Sequence, residues 1–240
     1  MKKNKIIPAN VNPGYLPIDF VRCLAKSYKA LPQLGEILTE TSSLPNMART
    51  KNGLNFLRGD GEWMLLVDSD QAWEPQAIIQ LLRTAKEKKV KIVSGMTFMQ
   101  QQGRIIPHAY QRITDQKVLA PYAVLPSLTE PFKVTAVGGG CLLVHREVIE
   151  KVKEMTDGTT SYYWWEETFD LAVGKMTGED ITFCERASAA GFEIWYEPKA
   201  IFGHADRRQI LGPLEYLGFL RRSNIEHAHL RTPDIRSTPR

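Results

Sequence analysis

The sequence predicts an α/β protein with a mostly parallel central sheet, and three observations predict it. Short apolar strands and amphipathic helices alternate from Ile6 to Met96 in the order β-α-β-α-β-α-β, which calls for right-handed crossovers between parallel strands. Met64-Leu65-Leu66-Val67 is an unbroken apolar run, as expected of a strand buried on both faces. The run stops at Asp68-Ser69-Asp70, where a strand of an open α/β sheet would present its carboxyl end to a ligand crevice.

Each element has its own warrant. Ile6 and Ile7 open a first strand, and Pro8-Ala9-Asn10-Val11-Asn12-Pro13-Gly14 reads as the loop behind it. Pro17 stands at a helix start, followed by Ile18, Val21, Leu24, Ala25 and Tyr28 at helical spacing. Gly35 to Glu40 is a second strand. Arg49, Lys51, Leu54 and Leu57 belong to a second helix. Pro75 begins an amphipathic helix through Ile78, Ile79, Leu81, Leu82 and Ala85, and the lysines from Lys86 suit its carboxyl end. Val90 to Met96 is again a buried strand.

Phe98 to Phe132 breaks the rhythm. Four prolines forbid a long helix there, and the length points to small strands around a binding site. Val134 to Val144 reads as one strand bent at Gly138-Gly139-Gly140, where another backbone or a ligand can approach closely. Arg146 to Met155 forms a helix that Asp157-Gly158 ends. Gly178-Glu179-Asp180 leads a helix with Ile181, Phe183, Cys184 and Ala187 inward and Gly191 as its stop. Phe192, Ile194 and Tyr196 alternate on a last strand closed by Pro198, leaving His204 in a loop.

Composition narrows the function. A net charge of +4 permits anionic ligands without pointing to nucleic acid. Cys23, Cys141 and Cys184 are odd in number and far apart, which argues for free thiols in a reducing compartment and against a disulfide framework. No apolar run is long enough to span a membrane, and the start has no secretory core. The expectation is a soluble cytoplasmic protein. Residues 1–206 form its domain, with a nucleotide half (1–97) and an acceptor half (98–206), and 207–240 form a basic appendage.

Several residue groups carry candidate chemistry. Two carboxylates at a buried strand end repel each other unless a cation or water intervenes, so Asp68 and Asp70 are candidate ligands for a divalent metal; the plain alternative is a turn that caps the next helix. Arg49 near a helix start suits phosphate, or simply belongs to a surface helix. Tyr162 to Glu167 sets aromatic faces beside carboxylates, fit either for a sugar or base or for a lid over the core. From Arg207 onward the chain is rich in arginine: Arg207, Arg208, Arg221, Arg222, Arg231, Arg236 and Arg240.

In this order, Asp68-Ser69-Asp70, Gly139-Gly140-Cys141-Leu142-Leu143, Gly178-Glu179-Asp180 with Arg186, and His204 resemble the GT-A-fold glycosyltransferases. The resemblance covers about Ile6 to Arg208 and is closest to small family 2-like members common in bacteriophage genomes. It implies a nucleotide-diphosphate sugar as donor, UDP-linked in the common case, and a manganese or magnesium ion held by Asp68, Asp70 and His204. It implies Asp180 as the base of an inverting transfer, a role compatible with a helix N-cap, with Glu179 orienting the acceptor or the base. Donor contacts then fall to Pro8, Asn10, Thr39, Arg49, Asp68, Ser69, Gly139 and Gly140, and acceptor contacts to Trp164, Trp165 and Glu166. The aspartate that grips the base in this family is missing, since the place offers Thr39, Glu40 and Thr41. The acceptor is left open between protein, glycan and a hydroxymethylated DNA base, the last in keeping with the late arginines. Two rivals stand beside this reading. A nucleotidyltransferase would need a basic glycine-rich loop after the first strand, which is absent, and a non-catalytic nucleotide-sugar binding module would not need Asp180.

Overall fold

The computed structural model describes residues 5–222 except 13, 43, 102–103, 114–118, 123–128, 157–163, 171–173 and 207–208. Its main sheet runs in the order β10 (Phe132–Val134), β15 (Ile194–Asp206), β5 (Ile92–Met96), β12 (Cys141–His145), β3 (Trp63–Val67), β1 (Ile6–Asn12), β2 (Leu38–Thr41). Strands β2, β1, β3, β5 and β15 run one way, whereas β12 and β10 run against their neighbours. The predicted mostly parallel α/β sheet is therefore present. Beside it, β4 (Gln71–Trp73) and β16 (Gln209–Leu211) pair with the far end of β15. Small ribbons are made by β6 (Phe98–Gln101) with β7 (Arg104–Pro107), by β8 (Ala109–Arg112) with β9 (Leu119–Pro121) and β11 (Ala136–Val137), and by β13 (Thr168–Asp170) with β14 (Lys175–Thr177).

Helices cover both faces. On one side α1 (Ile18–Ala30) and α3 (Pro75–Lys88) bury Phe20, Ile78 and Leu81 against Trp63, Leu65 and Val67. On the other, α2 (Pro45–Arg58), α4 (Arg146–Thr156) and α5 (Glu179–Ala189) bury Phe56, Ile149 and Phe183 against Met64 and Leu66. Alternate residues of β3 thus enter opposite cores, which is why its sequence shows no polar position.

Several expectations are corrected. Val134 to Val144 is three strands, not one bent strand: β10 joins β15, β11 joins β8, and β12 slots antiparallel between β3 and β5. Pro8 lies inside β1, not in a loop. It falls between the Ile6–Leu34 bridge and Ala9, where pairing with β2 begins, so its missing N–H falls where the ladder is interrupted. The strand β15 continues past Pro198 through a register shift between Glu197 and Ile201, which absorbs the proline as a bulge and carries His204 within a strand. The described part of the expected appendage is knit into the domain: β16 extends the sheet, and α6 (Pro213–Arg222) packs Tyr216 and Phe219 on the core. Arg207, Arg208, Arg231, Arg236 and Arg240, and the Asp157-Gly158 stop, lie outside the described residues, as do the side chains of Arg221 and Arg222. Among the described residues no helix is long and apolar enough to cross a membrane.

Candidate active site

The carboxyl ends of β1, β2 and β3 lie together because the three strands are parallel and in register. Buried Asn10 ties them. Its amide donates to the Val67 carbonyl (2.8 Å), and its own carbonyl accepts from the Asn52 amide (2.9 Å). The Asp68 N–H donates to the Gly140 carbonyl (3.2 Å), which sets the Gly138–Gly140 turn beside the Asp-Ser-Asp corner. The chain then turns, with Gln71 N–H bound to the Asp68 carbonyl (3.1 Å), and β4 runs back along β15 with Gln71 opposite His204.

The two aspartates take different partners. Both Asp68 oxygens accept from Arg49 Nη2, at 2.8 and 3.0 Å, and Arg49 Nη1 binds Glu179. Asp70 Oδ2 lies 3.0 Å from His204 Nε2, and its Oδ1 accepts from Gln71 Nε2 at 3.0 Å. Among the described residues no three His, Cys, Asp or Glu side chains gather around one metal position. The expected trio is thus split: Asp70 and His204 meet, while Asp68 is turned to Arg49. Burial pushes the Asp68 carboxyl up, Arg49 pulls it down, and the Asp70 and Glu179 charges push it up again, for a net rise. Burial would also raise Asp70, but the His204 and Gln71 contacts outweigh it and hold that carboxyl below its usual range. Arg49 is nearly enclosed, and its two carboxylate partners outweigh burial and keep it charged.

Asp180 stands across the Gly139 turn. Gly178 is the residue before α5, so Asp180 is not the N-cap but lies in the first turn. Its Oδ1 accepts from the Ile181 N–H (2.7 Å) and its Oδ2 from the Gly139 N–H (3.0 Å). Burial first, and the Glu179 charge second, push its carboxyl up. Tyr110 from β8 faces it, and burial with the Asp180 charge pushes the phenol up to about 12. His108 also belongs to this site, although nothing in the sequence singles it out. Its ring packs on Gly138, bonds Thr97 Oγ1 (3.3 Å), and is held neutral, near 4, by burial and by the neighbouring His204 charge. It lies in the prolonged irregular stretch, where a lone histidine carries no spacing signal.

Other predicted contacts sit elsewhere. Trp164 and Trp165 are core residues, at 3% and 1% exposure: Trp164 covers Gly53, and Trp165 stacks on Phe183 at 4.3 Å. The lid over the core is the outcome, so these rings offer no open face to an acceptor. Glu166 pairs with Arg186, whose Nη1 also bonds the Trp164 carbonyl, so this segment is fastened to α5. Tyr162 and Tyr163 lie outside the described residues. Pro8 is level with Leu65, behind the strand end, and Thr39 is exposed on the edge strand β2. Ser69 is half-buried in the turn between the carboxylates.

Residues 27–230 match Glycosyltransferase like family 2. The chain belongs to this family. No curated protein matches the sequence. Among solved structures, A197 from STIV superposes with a TM-score of 0.58 at 16% identity, covering 87% of this chain and 90% of that one. GalNAc-T7, solved with UDP, GalNAc and Mn2+, superposes with a TM-score of 0.57 at 12% identity over 85% of this chain. This chain spans 44% of that one. At such identities the likeness establishes the fold, which is that of the GT-A glycosyltransferases.

Proposed function

We propose that this family 2-like protein transfers one sugar from a nucleotide-diphosphate sugar to an acceptor hydroxyl, with inversion and with Asp180 as the base. The observation that carries the reading is the convergence of Asp68, Asp70, Glu179 and Asp180 at the carboxyl ends of the parallel strands, in a chain of this family. Asp180 suits a base because burial and Glu179 raise its proton affinity, and each oxygen keeps a lone pair beyond its one backbone N–H.

Charge supports a divalent ion. Three acidic side chains, Asp68, Glu179 and Asp180, act on the one Arg49 guanidinium, so a diphosphate entering here would be repelled without further positive charge. Asp70 and His204 fit manganese as one hard oxygen and one imidazole nitrogen, and the buried Oε1 of Gln71 beside them has no partner. Two protein ligands are enough where substrate phosphates complete the shell. When bound, the ion supplies Lewis-acid charge that eases departure of the nucleoside diphosphate. The manganese and UDP of the GalNAc-T7 structure agree with this choice.

The test is release of nucleoside diphosphate from a panel of nucleotide sugars, in manganese and in chelator. The acceptor arms are hydroxymethylated DNA duplexes, proteins and glycans, read by product mass. Manganese-dependent release is expected. Asp70→Ala is expected to remove manganese-dependent donor binding in calorimetry. A protein that hydrolyses and transfers no donor, or an Asp70→Ala variant that binds donor and metal as wild type does, would sink the reading.

A further inference from the structure

Arg49 is placed to do more than neutralise a carboxylate. It comes from α2 in the amino-terminal half of the chain, yet its two ends hold Asp68, behind β3, and Glu179, in the first turn of α5. Its guanidinium also packs directly against Gly139. A β-carbon there would sit 2.4 Å from Nη2, so any larger residue would displace the arginine. Gly139 is the residue whose N–H holds Asp180 Oδ2. Two routes therefore lead from one side chain to the base: through Glu179, its chain neighbour, and through the glycine turn. Such a buried double ion pair is a poor source of stability, because desolvating three charged groups offsets much of their attraction.

We infer that Arg49 is a positioning residue for transfer, coupling the Asp68 corner to the Asp180 base through Glu179 and Gly139. The inference rests on the glycosyl-transfer reading above. Arg49 does not touch the reacting atoms in this account; it fixes where Asp180 points and what charge it feels. The groups facing Asp180 are Glu179 and Cys184 from α5, Arg49 from α2, Tyr110 from β8 and the Gly139 N–H. Arg49 is the cation among these. Lysine in its place keeps one charge but not the planar fork that spans two carboxylates. Arg49→Met removes the charge and keeps an unbranched apolar stem.

The experiment combines turnover with a readout that needs none. In carboxyl-13C-aspartate-labelled protein, the Asp180 resonance is identified by its loss in Asp180→Asn. Its titration midpoint is expected to rise in Arg49→Met and less in Arg49→Lys. In turnover, Arg49→Lys is expected to lower kcat about 10- to 100-fold, the scale of a misplaced catalytic group. The double variant Arg49→Lys/Asp180→Asn is expected to be no slower than Asp180→Asn alone, since both act through one group. An unmoved Asp180 midpoint in Arg49→Met, or losses that multiply in the double variant, would overturn the coupling. A donor Kd that weakens while kcat and the midpoint stay put would make Arg49 a phosphate contact instead. If Arg49→Met does not fold, the same midpoint comparison in Arg49→Lys decides. Wild-type protein that cleaves no nucleotide sugar would defeat the transfer reading, and the resonance would still report on the coupling.

Discussion

Asp180→Asn is expected to lower the transfer rate by about 100-fold or more, the usual scale for a positioned general base. Donor affinity should stay within a few-fold, because among the described residues Asp180 bonds Ile181 and Gly139, not the Asp70–His204 pair. The amide keeps the shape and can still accept one of the two backbone N–H groups, so α5 should start unchanged behind Gly178. What is lost, on the proposed reading, is the basic carboxylate that takes the acceptor proton. On the same reading the wild-type protein is expected to show a pH signature of this group. Burial and Glu179 raise the Asp180 carboxyl, so its basic form, and with it kcat, should disappear on acidification at a pH above the ordinary aspartate value of about 3.9. That acid limb should be absent from the residual activity of Asp180→Asn. Single-turnover rates and calorimetric donor titrations measure the two halves of the expectation. Undiminished turnover in the variant would leave Asp180 as a helix-start residue and nothing more.

How much of this was legible before the structure depends on the range of each signal. The β3 strand was legible because burial on both faces leaves a local mark, four apolar residues in a row, and the Asp-Ser-Asp corner follows from its end. The helix starting at Pro75 was legible from proline placement and apolar spacing. The direction of β12 was not, since a short apolar strand reads the same whichever way it runs, and only its pairing with β3 and β5 fixes it. Pro8 and Pro198 misled for a related reason: proline ends a strand only where the lost N–H was needed, and here a gap and a bulge spare it. Trp164 and Trp165 carry the same composition whether they form a binding face or a core, and Gly53, whose missing side chain lets Trp164 in, is over a hundred residues away in sequence. The pairing of Arg49 with Asp68 and Glu179 is likewise a product of the fold. Arg49 and Asp68 were singled out from the residues and Glu179 through the family resemblance, and neither could show that they meet.

The other large effect is expected on stability, at Arg146. This arginine opens α4 and donates to four carbonyls near the end of α2: Phe56 (2.9 Å), Leu57 (3.1 Å), Gly59 (2.8 Å) and Gly61 (2.7 Å). Its guanidinium carbon lies 4.7 Å from the centre of the Phe56 ring. The last carbonyls of a helix lack partners within it, and a cation there also meets the negative end of the helix dipole. One side chain thus ends α2, sets the turn into β3 and anchors α4 to both. Arg146→Ala leaves those carbonyls to find water in a half-covered corner and strips the Phe56 ring of its cover. Hydrogen bonds from a charged donor are worth about 1.5–3 kcal/mol. Some replacement by water brings the expected total loss to about 3 kcal/mol. For a chain of this size that corresponds to a fall in Tm of roughly 6–12 °C. Arg146→Lys should recover only part, because a single ammonium cannot reach four carbonyls at once. Both variants should keep the titration behaviour of Asp180, which Arg146 does not approach. Thermal unfolding of the three proteins side by side measures the effect. A Tm within about 2 °C of wild type for Arg146→Ala would mean that water replaces the guanidinium at little cost, and that α2 ends where it does through its own sequence.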